Sequence, residues 1–166
     1  TMPDAVLEPF GQRARLRFER ELAAAPSEVW RALTDPEELA AWFPCQVIAE
    51  GWTAGATLRF AFPTGGVPEL SGTVLEAHEP RLLSFTWGTE TLRFELSPSG
   101  SGTLLVMTDE LDRPIAARNA AGWEGCLDRL AGRVPADDAW KARFDGYAAA
   151  FEPVLGAQEG PPAGRG

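Results

Sequence analysis

The chain has one histidine, His78, and two cysteines, Cys45 and Cys126. The cysteines lie far apart and form no Cys-x-x-Cys, and no His/Cys set is clustered. Metal ligation at the usual spacings is therefore excluded, and neither a metal ion nor a cofactor is expected. Two free thiols fit a reducing compartment. A Ser–His–Asp triad would have to run through His78. That residue sits in Glu76-Ala77-His78-Glu79-Pro80, at a strand end, and reads as an exposed turn histidine; no catalytic residue is assigned. Basic residues are also scarce: 15 Lys and Arg against 24 Asp and Glu, a net charge of −9. A surface for nucleic acid or for anionic membrane needs clustered cations, so neither is an expected partner. No run approaches the roughly 20 apolar residues of a membrane span. The basic-then-apolar pattern of a secretory leader is missing, so a cytoplasmic location is the expectation.

Aromatic residues are abundant, with six Trp and nine Phe among 166 residues. Hydrophobic content of 45% and charged content of 23% suit one globular domain with a sizeable core. Residues 13–22 alternate, with Leu16 and Phe18 on one face and Arg15, Arg17 and Glu19 on the other, which predicts a half-buried strand. Two short helices follow. Pro26 suits a first helical turn, and Val29, Trp30 and Leu33 share a face. Asp35, Pro36 and Glu38 form the Asp-x-x-Glu pattern of a capping box, Leu39, Trp42 and Phe43 supply the second apolar face, and Pro44 stops the helix. Strands are predicted at 56–62, 70–78, around Leu83, Phe85 and Trp87, around Leu92, Phe94 and Leu96, and at 103–109. Turns are expected at Pro63-Thr64-Gly65-Gly66, Glu79-Pro80-Arg81 and residues 97–102. Such short connections imply an antiparallel meander.

After Asp112, an expected N-cap, Ile115, Asn119, Trp123, Cys126, Leu127 and Leu130 recur at helical spacing. Ala116, Ala120, Ala121, Gly122 and Gly125 keep this helix thin, which suits close approach to a sheet or room for a guest. Pro135 breaks it. Trp140, Phe144, Tyr147 and Phe151 then form an amphipathic stripe over 137–152, to be buried against the domain or a second subunit. Gly156 to Gly166 is rich in Gly and Pro and reads as a disordered tail. The class is α+β, with helices on one face of an antiparallel sheet.

The run Ala25-Pro26-x-x-Val29-Trp30-x-Ala32-Leu33-Thr34-Asp35-Pro36-Glu37-x-Leu39-Ala40-x-Trp42-Phe43 resembles the opening of the START-like (SRPBCC, helix-grip) superfamily. It is similar, more narrowly, to the branch named for activators of the 90-kDa heat-shock protein ATPase. Gly72-Thr73-Val74-Leu75-Glu76, the segment 81–87 and the segment 122–130 agree with that branch, in order, over about residues 13–131. The resemblance implies a Bet v 1-like fold: a curved sheet wrapped around a long C-terminal helix, with a cavity between them. It implies one START-like domain over 10–153, of which 131–153 is an additional helix. Superfamily cavities bind lipids, hormones and polyketides, and a few members are cyclases or hydrolases.

Trp30, Trp42, Phe60, Phe62, Phe85, Trp87, Phe94, Met107 and Trp123 are accordingly expected to wall a cavity holding a small hydrophobic or amphipathic ligand; an inward aromatic taken singly is more often core, and Met107 fits either place. Asn119 lies on the inward stripe of its helix and must meet a strand side chain, a water or a ligand. Asp109 and Glu110 are expected to be solvated at a loop, a carboxylate pair at the pocket mouth being the sharper alternative. Non-catalytic ligand binding is the leading expectation. A polyketide cyclase- or hydrolase-like enzyme is its rival. An interaction module, with a chaperone as partner or a homodimer formed through the 137–152 helix, is the third reading.

Overall fold

The computed structural model describes residues 5–63 and 66–160. Its strands are β1 (Val6–Phe10), β2 (Arg13–Leu22), β3 (Gln46–Ala49), β4 (Thr57–Ala61), β5 (Leu70–His78), β6 (Leu82–Trp87), β7 (Glu90–Ser99) and β8 (Gly102–Leu111). They form one eight-stranded antiparallel sheet in the order β1-β2-β8-β7-β6-β5-β4-β3. Helix α3 (Ala116–Leu130) buries Ala116, Ala117, Ala120, Ala121, Trp123, Cys126 and Leu127. This is the α+β helix-grip architecture.

The alternation in β2 explains its place: Ala14, Leu16, Phe18, Arg20 and Leu22 are buried in phase. β1 and β3 carry no such signal. β1 contains Pro9, which an edge strand tolerates, and β3 has four residues, too few for a period to show. The folded unit therefore begins before residue 10. Of the expected turn at 63–66, Thr64 and Gly65 lie outside the described residues.

Helices α1 (Pro26–Thr34) and α2 (Pro36–Leu39) follow β2 as the pattern predicts. Asp35 Oδ1 accepts from the Glu37 and Glu38 amides at 2.9 and 3.3 Å. The capping box is only half made, because the Asp35 N–H already donates to Arg31 O at 2.8 Å. Replacing Asp35 with alanine should cost about 1 kcal/mol and lower the melting temperature by roughly 2–4 °C in a thermal scan.

At α3 the expected cap is not used. Asp112 instead accepts from Arg13 Nε at 3.0 Å, and a 3-10 turn (Arg113–Ile115) precedes the helix. The Ala117 N–H is met by Gln158 Oε1 at 2.9 Å. Gln158 Nε2 also donates to Arg113 O at 2.9 Å, and the Glu159 amide donates to Pro114 O at 2.8 Å. Residues 156–160, read as the start of a disordered tail, are thus held against the head of α3. The rest of that tail, 161–166, lies outside the described residues.

Helix α4 (Ala139–Leu155) packs on the outer side of α3. Tyr147 and Phe151 are buried, while Trp140 and Phe144 stack in parallel at 5.2 Å. The stripe is turned toward its own domain. Gly122 and Gly125 belong to this contact, since a Cβ at either would approach Trp140 or Arg143 rather than the sheet. Asp128 ties the layers together: it accepts from Arg20 of β2 at 2.9 Å and from Arg143 of α4 at 2.7 Å. Burial raises the Asp128 pKa, but hydrogen bonds and charge from the two arginines outweigh it and leave the carboxyl below its ordinary range.

Candidate functional site

The concave face of the sheet carries a row of rings. Phe60 on β4, Phe85 on β6 and Phe94 on β7 are inward positions of their strands, and they stack at 5.9 and 6.0 Å between centroids. Phe43, delivered by the turn after α2, sits among them. Its ring lies 5.4 Å from Trp42, 6.1 Å from Phe60, 6.4 Å from Phe85, 6.0 Å from Trp87 and 5.6 Å from Trp123. Trp87 and Trp123 meet at 5.3 Å. These are ordinary ring-contact distances. Six residues expected to wall a cavity, Trp42, Phe60, Phe85, Trp87, Phe94 and Trp123, therefore pack on one another, with Phe43 filling the middle of the row. Trp30, Phe62 and Met107 belong to the same core. Phe62 and Trp87, together with Trp52, are half-buried; the other rings are buried.

The row has a polar end. Asp109 is 0% exposed, although it was expected at a solvated loop. β8 runs two residues beyond it, so Asp109 points inward in phase with Leu105, Met107 and Leu111. Its neighbour Glu110 faces the other way, 3.8 Å from Arg15. The acid that joins Asp109 is Glu90, at the head of β7. Leu92 pairs with Asp109 across the ladder, so Glu90 stands one diagonal step away. Two residues of α3, one turn apart, cover the pair. Trp123 Nε1 donates to Asp109 Oδ2 at 2.9 Å, and Asn119 Nδ2 donates to Glu90 Oε1 at 2.8 Å. The polar partner of Asn119 is a strand side chain.

Asp109 Oδ1 meets no N–H or hydroxyl donor. Next to it is the Glu90 carboxyl, itself an acceptor when ionised. A proton shared between the two acids, or a donor on a bound molecule, can meet it. Burial pushes Asp109 well above the ordinary carboxylate range, and the Glu90 charge and hydrogen bond push it further. Burial raises Glu90 too, against hydrogen bonds from Asp109 and Asn119 and the charges of Arg118 and Arg13. Two carboxyls in an aromatic shell can share, give or take one proton.

The remaining chemistry is muted. Burial pushes the Cys45 thiol up to about 11 and the Cys126 thiol up to about 12. Neither is a thiolate near neutral pH, so neither is an effective nucleophile. His78 Nε2 lies 3.9 Å from Glu76 on the surface. Arg93 bonds Glu95 at 2.9 Å and Glu76 at 3.2 Å on the outer face of the sheet. Among the described residues, no three His, Cys, Asp or Glu side chains are grouped to hold a metal ion, and no helix is long and apolar enough to cross a membrane.

The family described as Activator of Hsp90 ATPase homolog 1-like protein matches residues 23–134, from just before α1 to just after α3. The chain belongs to that family. The fold is shared more widely. A conserved protein of unknown function from Enterococcus faecalis is 23% identical over 90% of this chain and 91% of its own, with a TM-score of 0.79. CalU16 from Micromonospora echinospora is 23% identical over 89% of this chain and 96% of its own, with a TM-score of 0.71. DynU16, a protein in the dynemicin biosynthetic locus, is 28% identical over 71% of this chain and 46% of its own, with a TM-score of 0.61. No curated protein sequence matches the chain. In this member of the Activator of Hsp90 ATPase homolog 1-like family, the acid pair and both α3 residues that bond it fall inside the matched segment. β1 and α4 fall outside it.

Proposed function

We propose that this protein binds a small amphipathic molecule at the Glu90–Asp109 pair, without transforming it. The ligand presents a hydrogen-bond donor to Asp109, and its apolar part lies among the rings of the grip. The observation that carries this reading is the fully buried Asp109, whose Oδ1 accepts a hydrogen bond from no donor. An unmet buried acceptor costs roughly 1–3 kcal/mol, which a donor on the ligand returns. The half-buried Trp52 and Phe62 are the rings with the fewest ring contacts, and their displacement admits the apolar part. A relative encoded in a biosynthetic locus supports a small molecule rather than a macromolecule as the partner.

The test is native mass spectrometry of the purified protein, repeated after denaturation and solvent extraction, with Asp109→Asn in parallel. That substitution keeps an oxygen for Trp123 Nε1 and puts an N–H where the ligand's donor belongs. A mass excess is expected on the wild type, lost on denaturation and reduced about tenfold or more in the variant. A bare wild-type mass, together with no saturable change in tryptophan fluorescence across a panel of amphipathic amines, alcohols and amides, would sink the proposal.

The same pair supports a second reading. Two converging carboxyls with raised pKa values are the minimum for general acid–base chemistry on a bound substrate, as in a cyclase or hydrolase. Turnover of an extracted ligand by wild type and not by Asp109→Asn would move the protein to that class.

A further inference from the structure

Between the edge strand β1 and α4 runs an open groove of about 770 Å³, within the size range of small-molecule sites. Leu7 and Pro9 line it from β1, and Ala142, Gly146, Ala150 and Val154 from α4, over the buried rings of Tyr147 and Phe151. It shares no lining residue with the acid pair's ring cluster and is built largely by segments outside the family match. The walls are small and apolar; the charges are few. Arg13 is matched by Asp112 at 3.0 Å. Arg143 is matched by Glu124 at 3.2 Å and Asp128 at 2.7 Å. Arg113 is different. Its Nη2 donates to Gly11 O at 2.8 Å, its Nε is buried without a partner, and no carboxylate pairs with it among the described residues. The bond to Gly11 places it just beyond the Phe10 end of β1.

We propose that this groove is a binding site for a medium-chain fatty acid, with the alkyl chain along β1 and α4 and the carboxylate at Arg113. Apolar walls of small residues fit an unbranched chain better than a ring system. The planar guanidinium fork at the groove wall matches a carboxylate. One unmatched cation balances a monoanion. A dianionic phosphate would leave a charge over beside Glu124, in a protein that already carries −9.

The experiment is calorimetric titration of the full chain with decanoate and with decanol. Decanoate is expected to bind at one saturable site, about tenfold or more tighter than decanol. Arg113→Gln should bring the two to equal affinity. Ala150→Trp, an exposed position that fills the groove, should abolish binding while the near-ultraviolet circular dichroism stays native. Asp109→Asn should leave decanoate affinity unchanged, which separates this groove from the interior site. No decanoate binding to the wild type would overturn the proposal. So would equal affinity for decanol in Asp109→Asn, where the interior site is blocked, or decanoate binding that survives in a natively folded Ala150→Trp.

Discussion

An Asp109→Asn variant is expected to be more stable than the wild type at pH 8 and nearly equal to it at pH 4. Both acids of the pair have folded-state pKa values raised from their ordinary values, Asp109 well above them. The folded protein therefore holds protons that the unfolded chain releases at about pH 4. Where the native state binds more protons, stability falls as pH rises. The loss begins near the unfolded pKa and continues until pH passes the raised folded values. Asparagine removes the conflict by donating Nδ2 to Glu90 permanently, while its oxygen still accepts from Trp123. The gain at pH 8 should be on the order of 1–3 kcal/mol, the usual cost of an unmet buried polar group. Urea denaturation of both proteins from pH 4 to 8 measures it. Parallel profiles would mean that the pair is not the source of the slope. Asp128 acts in the opposite sense: its lowered pKa supplies stability that is present above its unfolded value and lost as pH falls through the folded one. The acid limb of both profiles should therefore coincide.

Gly72→Ala is expected to destabilise the protein by about 4 kcal/mol or more, lowering the melting temperature by roughly 8–16 °C. A Cβ on Gly72 would lie 2.0 Å from Thr86 O and 2.9 Å from Phe60 Cε2. The first is backbone of the neighbouring strand β6, so no rotamer change relieves it. The second belongs to the stacked row of rings. Here β5 joins β4 to β6, and the ladder shifts register between Val74 and Glu76. Alanine would have to push β5 away from β6, opening the sheet beside its aromatic core. By contrast Gly146→Ala, where nothing lies within 4 Å, should be neutral or slightly stabilising through helix propensity. A thermal scan of both variants separates contact from conformational entropy; equal small shifts would refute the close approach.

Much of this was legible in the residues. The periods of β2, β4, β6 and β7, the tandem helices and the inward stripe of α3 gave an antiparallel meander with a helix on one face, and the family resemblance implied the grip. β1 and β3 were not legible, since edge pairing in a short or proline-bearing segment leaves no period. The site was harder. Inward rings were found, but their packing was not: whether facing aromatics enclose space or fill it depends on Phe43, whose place is set by a turn rather than by a period. The acids had a readable signal that hydrophobicity hides. Glu90 is in phase with Leu92, Phe94 and Leu96, and Asp109 with Leu105, Met107 and Leu111. A carboxylate in a buried phase looks like the end of a strand until a second one is seen beside it.

The cap that Gln158 supplies to α3 makes the order of synthesis matter. The helix that the sheet grips is finished by a side chain 41 residues downstream. At the other end of the chain, the Ala5 N–H is held by Tyr147 Oη at 3.0 Å. A chain emerging from the ribosome can assemble the meander early, but the Ala5 and Ala117 amides gain these partners only once Tyr147 and Gln158 have emerged. A ribosome-bound chain stalled before α4 would therefore lack both of these bonds.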